Sequence, residues 1–177
     1  MNDPVVLVLA SGRSERFVAS GGKGSKLQAL LAGKPVLQHT LEAVRASGLP
    51  FHVEDAGHAG MGDSIAAAVR ATRDAAGWLV LPGDLPLVRP ASLRAVAQAL
   101  LGASLVLPFY AGTRGHPVGF AKEHGAALAG LQGTEGAAAI VRQAKTVRLD
   151  LDDPGIVTDI DTVADLVRAE RMLATRD

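Results

Sequence analysis

Apolar residues recur along the chain in two rhythms. Residues 5–10, 78–81 and 105–107 are continuous apolar runs rich in Val and Leu, the pattern of strands covered on both faces of a parallel sheet. Residues 51–54, 118–120 and 145–151 are further strand candidates. Between the runs the spacing turns helical. In residues 35–46, Val36, Leu37, Leu41 and Val44 line one face, and Gly48 closes the segment. Helices are expected over 65–76, capped by Ser64, and over 90–101, with Pro90 where its missing N–H does no harm. Two more are expected over 137–144 and 163–173. Residues 11–25 and 57–62, dense in Gly and Ser, read as loops. This alternation predicts a single α/β domain over residues 1–177, a three-layer, mostly parallel, Rossmann-like sheet.

Composition narrows the picture. Hydrophobic residues make up 48%, enough for a sizeable core, and disorder is excluded. Eighteen basic residues balance eighteen acidic ones, so the chain has no basic excess to recommend nucleic acid as a partner. Cysteine is absent, which excludes disulfides, thiolate metal sites and a Cys nucleophile. The opening Met1-Asn2-Asp3-Pro4 has no basic stretch, and the six apolar residues after it are too few for a signal core or a span. The expectation is a cytoplasmic protein without a membrane partner.

In sheets of this type ligands gather beyond the carboxyl ends of the strands, so the residues just after each run are the candidates for chemistry. After residues 5–10 come Ser11-Gly12-Arg13-Ser14-Glu15-Arg16 and Gly21-Gly22-Lys23-Gly24-Ser25-Lys26, where bare backbone N–H groups and four cations suit a phosphate. Neither a P-loop nor a dinucleotide fingerprint fits, and a solvated loop is the plain alternative. After 78–81 comes Gly83-Asp84-Leu85-Pro86, whose carboxylate could hold a hard cation or simply form a turn. Asp161 stands just outside a Thr162-x-x-Asp165 capping box and is free to point elsewhere. Asp152 and Asp153, before Pro154-Gly155, read as turn residues. Five scattered histidines have no zinc-site spacing; His39 reads as structural, and His116 lies in Arg114-Gly115-His116-Pro117.

In order, these fragments resemble the MobA-like NTP-transferase family, closest to its molybdenum cofactor cytidylyltransferase group. The resemblance rests on Leu9-Ala10-Ser11-Gly12-x-Ser14-x-Arg16, Lys26-Leu27 with Gly33-Lys34-Pro35-Val36-Leu37, and Gly60-Met61-Gly62-x-Ser64. It extends to Gly83-Asp84-Leu85-Pro86, Arg114-Gly115-His116-Pro117 and Asp159-Ile160-Asp161-Thr162. It implies a nucleotidyltransferase fold, with the stretch between Gly48 and Met61 shortened by a strand–helix unit. It also implies transfer of CMP from CTP to a phosphorylated, molybdopterin-type acceptor with release of pyrophosphate. GTP, another acceptor, or a non-catalytic nucleotide or cofactor binder are the alternatives. Carried over, Arg16 and Lys26 hold the triphosphate, with Lys23 as an alternative to Lys26, and Arg13 lies in the same loop. Asp84 binds Mg²⁺ with Asp161 as second carboxylate. Ala10, Ser11 and Gly12 contact the nucleotide, Gly62 and Ser64 lie near base and ribose, and Gly115, His116 and Pro117 shape the acceptor side. A recipient molybdoenzyme is the implied partner. The Leu9-Ala10-Ser11-Gly12 opening matches neither the GTP nor the CTP form of the family; the resemblance points to CTP over GTP because Ser11 is nearer Ala in size and Arg-Gly-His-Pro is more typical of the CTP group.

Overall fold

The alternating pattern folds as its rhythm requires. A computed structural model describes residues 3–176; Met1 and Asn2, part of the targeting expectation, lie outside them, as does Asp177. In chain order the strands are β1 (Val5–Leu9), β2 (Leu30–Leu31), β3 (Lys34–Pro35), β4 (Phe51–Glu54), β5 (Gly77–Pro82), β6 (Leu105–Tyr110), β7 (Thr113–Arg114), β8 (Val118–Ala121) and β9 (Thr146–Asp150). The helices are α1 (Glu15–Ala19), α2 (Val36–Ser47), α3 (Met61–Ala71), α4 (Pro90–Leu100), α5 (Gly125–Ala129), α6 (Ala138–Gln143) and α7 (Val163–Ala174).

Seven strands form one mixed sheet in the order β4-β1-β5-β8-β6-β7, with β9 beside β6. Strands β4, β1, β5, β6 and β9 run in one direction, and β8 and β7 run against it. The sheet is therefore mostly parallel, as expected. Alternation along the central strands divides the core. Val6, Val8, Leu79 and Leu81 face Val44 of α2 and Leu93 and Val96 of α4. Leu7, Leu9, Trp78 and Val80 face Ile65 and Val69 of α3 and Leu128 of α5. A third cluster of Phe17, Leu27, Leu31, Val36, Leu87, Ile160 and Ala169 packs the first loop against α7. Among the described residues no helix is long and apolar enough to cross a membrane.

Three expectations need correction. The stretch 11–25 is not loop throughout, because Phe17, 3% exposed, buries one side of the short α1. Ser64 does not cap the third helix: α3 starts at Met61 after Gly60, and Ser64 sits within its first turn. This earlier start depends on two close approaches. A Cβ on Gly60 would lie 2.2 Å from the Gly133 carbonyl oxygen, and one on Gly62 would lie 2.9 Å from that of Gln132. Third, the helix expected over 65–76 ends at Ala71, and the short β2–β3 ribbon, β7 and α5 carry too few residues to show a period in the sequence. Between Gly48 and Met61 the chain has one strand, and β4 leads through Asp55–Gly60 directly into α3.

Candidate functional site

The parallel strands point their carboxyl ends at one rim, and β8, running the other way, brings the residues before it to the same edge. Five segments therefore converge there: 10–26 after β1, 54–60 after β4, 83–86 after β5, 114–117 before β8 and 159–161 beyond β9.

Bonds at the base of three of these segments set how their polar groups meet at the rim. The Gly83 amide donates to the Leu9 carbonyl at 2.8 Å, and the Thr40 hydroxyl donates to the Gly83 carbonyl at 2.8 Å, which sets the turn presenting Asp84. Ile160 is fully buried, and its amide donates to the Asp84 carbonyl at 3.0 Å. Its two neighbours, Asp159 and Asp161, two residues apart in extended chain, then share one side. Thr162 and Asp165 form the expected capping box of α7, and the Asp161 amide also donates to the Asp165 carboxylate. On the first loop Ser14 takes up a left-handed backbone (φ 59°), and its hydroxyl accepts the Lys26 amide at 2.9 Å. Leu27, buried in the third cluster, holds the next position.

Lys26 consequently lies among carboxylates. Its Nζ is 2.6 Å from Asp84 Oδ2 and 2.9 Å from Asp161 Oδ1, and Arg16 reaches Asp161 Oδ2 at 2.9 Å. Burial would lower the Lys26 pKa, but the attraction of Asp84 and Asp161 outweighs it, and the net shift is upward, so the ammonium stays charged. Burial likewise opposes ionisation of Asp161, yet Lys26 and Arg16 hold its carboxyl below the ordinary range. Asp159 is exposed as a residue, but its carboxyl is raised, first by partial loss of water around it and then by the charges of Asp161 and Asp84 beside it.

A divalent cation fits these residues. Asp84, Asp159 and Asp161 each offer one carboxylate oxygen, all within 4.8 Å of one another. Asp84 Oδ1 is buried without a hydrogen-bond partner, and a cationic ammonium already sits between two of the three groups. All-oxygen donors suit a hard ion. Asp159 was missed as a ligand candidate in the sequence, although its Asp-Ile-Asp spacing carried the signal.

Three depressions meet at Lys26. One of about 200 Å³ runs along Ser11, Gly12, His58, Gly60 and Ser64 to Asp84. A second, of about 380 Å³, lies along Gly12, Arg13, Arg16 and Asp161. A third, of about 370 Å³, is lined by Asp84, Arg114, Gly115, His116, Asp159 and Asp161. His116 is half-buried overall, but its Nδ1 is sealed from solvent without a partner, and burial drives its pKa down, so the ring is neutral.

The remaining residues singled out in the sequence divide between the rim, packing and turns. Lys23 is exposed and lines none of these three depressions. The Ala10 amide is engaged by the Glu54 carbonyl at 2.9 Å. The Gly62 amide donates to the Gly133 carbonyl at 2.8 Å, so this glycine serves packing. Gly115 also packs, since a Cβ there would lie 2.4 Å from the Ile156 carbonyl oxygen, and Pro117 is buried after a cis peptide bond. The Ser11 hydroxyl pairs with the Ser64 hydroxyl at 2.7 Å, and Ser64 bonds back to the Gly60 carbonyl at 3.3 Å. His39 is structural, its Nε2 2.7 Å from the Leu31 carbonyl. Asp153 is a turn residue, accepting from the Gly155 amide, and it also ties down the Arg89 amide and the Ser92 hydroxyl at the start of α4.

Sequence reading also missed Glu54 at the end of β4. The residue is 8% exposed, and its carboxylate faces two rings, His52 Nε2 at 3.1 Å and His58 Nε2 at 2.9 Å. Burial raises its pKa, but these two bonds outweigh burial and hold it below the ordinary range. The His52-x-Glu54-x-x-x-His58 spacing was visible but matched no metal pattern.

A mostly parallel sheet with a glycine-rich loop, a carboxylate trio and adjoining clefts at one rim is the fold of the nucleotidyltransferases. The MobA-like NTP transferase domain model matches residues 42–148, more than half of the chain, and the chain belongs to that family. The bifunctional protein GlmU of Desulfitobacterium hafniense is 30% identical over 109 residues, half of this chain. The chain spans only 23% of the length of that relative. The solved structure of Rv0371c from Mycobacterium tuberculosis H37Rv superposes with a TM-score of 0.81 at 24% identity, covering 96% of this chain and 98% of that one. The same mycobacterial protein is also known in complex with manganese, with a TM-score of 0.75 at 23% identity over 96% of this chain and 99% of that one. Molybdopterin-guanine dinucleotide biosynthesis protein A from Archaeoglobus fulgidus gives 0.71 at 20% identity, over 97% of this chain and all of that one. These structural likenesses establish the shared fold.

Proposed function

We propose that this nucleotidyltransferase joins CMP from CTP to a phosphorylated, molybdopterin-type acceptor and releases pyrophosphate. The observation that carries the reading is the meeting of three depressions at one lysine held between carboxylates. The glycine- and serine-lined cleft takes the nucleoside. The basic loop with Arg13 and Arg16 takes the phosphate tail. The Arg114–His116 cleft takes the acceptor.

The reaction needs alignment and charge neutralisation more than proton transfer, because a phosphate monoester is already an anionic nucleophile. An acceptor phosphate oxygen forms the new bond to the α-phosphorus. The bond from that phosphorus to the bridging oxygen breaks, and its electron pair leaves with pyrophosphate. Asp84, Asp159 and Asp161 would hold a Mg²⁺ ion, which neutralises phosphate charge when bound. Lys26 and Arg16 then turn from the carboxylates to phosphate oxygens. The neutral His116 can approach an anionic or polar acceptor without bringing a second cation, and Arg114 beside it supplies the positive charge. The base preference for cytosine rests on the small Ser11 in the opening and on the Arg-Gly-His-Pro segment. We place the reaction in the cytoplasm, with a molybdoenzyme as recipient of the product.

Pyrophosphate release, measured with each of the four NTPs, Mg²⁺ and phosphorylated molybdopterin, tests the proposal. CTP is expected to give the highest kcat/KM. Preference for GTP would make the chain a guanylyltransferase, and binding of nucleotide without pyrophosphate release would make it a non-catalytic binder.

A further inference from the structure

The nucleoside end of the first cleft is mostly backbone and apolar surface: Leu9, Ala59, Gly60 and Met61. Its hydroxyls are committed, since Ser11 pairs with Ser64 and Ser64 with the Gly60 carbonyl. One polar ring remains, that of His58, whose side chain is 25% exposed and lines this cleft.

Glu54 decides what that ring offers. Oε1 faces His58 Nε2 at 2.9 Å, and Oε2 faces His52 Nε2 at 3.1 Å. An ionised carboxylate only accepts hydrogen bonds, so each facing nitrogen must carry its proton. The proton of a neutral His58 is therefore on Nε2, and Nδ1 keeps its lone pair. No group among the described residues bonds that Nδ1. Position agrees with a role at the base. Glu54 ends β4 and Asp84 lies just beyond β5, with β1 between the two strands. Glu54 is in register with Leu9 of β1 and Pro82 of β5, so two strand spacings, about 9–10 Å, separate the Glu54 end of the rim from the Pro82 end that leads to Asp84. The Glu54 carbonyl also accepts the Ala10 amide at 2.9 Å, so the histidine's support is tied to the strand that starts the nucleotide loop.

We propose that His58 is a base-reading residue, locked by Glu54 in the tautomer whose Nδ1 accepts a hydrogen bond from the exocyclic amino group of the nucleobase. The inference rests on the nucleotidyltransferase reading of this cleft and adds the residue that selects the base. Cytosine presents an amino group at the position where uracil presents a carbonyl oxygen, and two acceptors facing each other repel. His58 therefore selects CTP against UTP.

The test is equilibrium binding of CTP and UTP, each with Mg²⁺, by the full chain at pH 8. The unaltered protein is expected to bind CTP roughly tenfold more tightly than UTP, the worth of about one hydrogen bond. His58→Phe, which keeps a ring but no acceptor, should lose that margin by weakening CTP. His58→Gln should bring the two together by strengthening UTP, because a rotating amide can offer either its carbonyl or its NH₂. A His58→Phe or His58→Gln protein that keeps the original ratio overturns the proposal, as does an unaltered protein that binds UTP as well as CTP. Those results leave NTP binding intact, and with it the nucleotidyltransferase reading. An unaltered protein that binds no NTP overturns both.

Discussion

Replacing Lys26 by methionine removes the cation from the carboxylate cluster while keeping a long unbranched side chain in its place. In the folded chain Lys26 Nζ lies 2.6 Å from Asp84 and 2.9 Å from Asp161. The side chains are 14%, 14% and 20% exposed for Lys26, Asp84 and Asp161. Removing one member of a buried ion pair costs about 3–5 kcal/mol, and an exposed pair is worth about 0–1 kcal/mol. This cluster is mostly but not wholly buried, and the exposed Arg16 still reaches Asp161, so about 2–3 kcal/mol is expected. For a chain of this length that lowers Tm by roughly 4–12 °C. The same substitution removes the ammonium that shares Asp84 and Asp161, leaving only the exposed Arg16 on Asp161, whereas in the unaltered protein a divalent ion must displace that ammonium. At a free concentration about 100 times its Kd the ion restores about 2.7 kcal/mol. Thermal melts without nucleotide, with and without Mn²⁺ at constant ionic strength, measure both effects. The Lys26→Met protein should melt lower without the ion and recover most of the loss with it, and the unaltered protein should move less. Equal shifts in the two proteins, or a variant that melts as the original does without metal, would refute the assignment of Lys26 as the group occupying the cation's place.

Asp84→Ala should lower kcat by about 100-fold or more in the pyrophosphate assay, the scale of losing a principal charge partner at the transition state; a near-original, metal-dependent rate would take Asp84 out of that role. Ser11→Ala should leave the CTP/GTP ratio of kcat/KM within about threefold, because the Ser11 hydroxyl is bonded to Ser64, and should cost about 0.5–1.5 kcal/mol of stability. A tenfold change in that ratio would show that Ser11 reads the base. Burial lowers the His116 pKa, which ties the neutral ring to the folded state. Its contribution is complete above about pH 6.5 and is lost as pH falls toward the lowered value, at up to ~1.4 kcal/mol per pH unit. Denaturant unfolding at several pH values should show that slope, and His116→Gln should flatten it; identical profiles would contradict the burial argument.

The long runs made the sheet legible. A strand such as β1 or β5, buried on both faces, reads as an unbroken apolar stretch, and helices α2 and α4 repeat their apolar face often enough to show it. The five-residue helices α1 and α5 are decided by single anchors, Phe17 and Leu128, which no helical period announces. For the candidate site, the residues beyond the strand ends were legible because a parallel sheet delivers them to one rim. The partners were not. That Ser11 meets Ser64, that Ala10 is engaged by Glu54, and that Gly62 packs on the 132–133 turn all depend on contacts between segments far apart in sequence. The Glu54–His58 pair was hidden for a different reason: it lies in the shortened stretch where the chain departs from the family pattern used to read it.

The central claim concerns which bond of the nucleotide breaks. Reaction of the protein with Mg²⁺, a phosphorylated molybdopterin-type acceptor and CTP labelled at either the α- or the γ-phosphate reads this directly. Nucleotidyl transfer predicts α-label in the acceptor product and γ-label in pyrophosphate, in equal amounts. Label from the γ-phosphate in the acceptor, or no label in it under conditions where CTP is bound, would contradict nucleotidyl transfer.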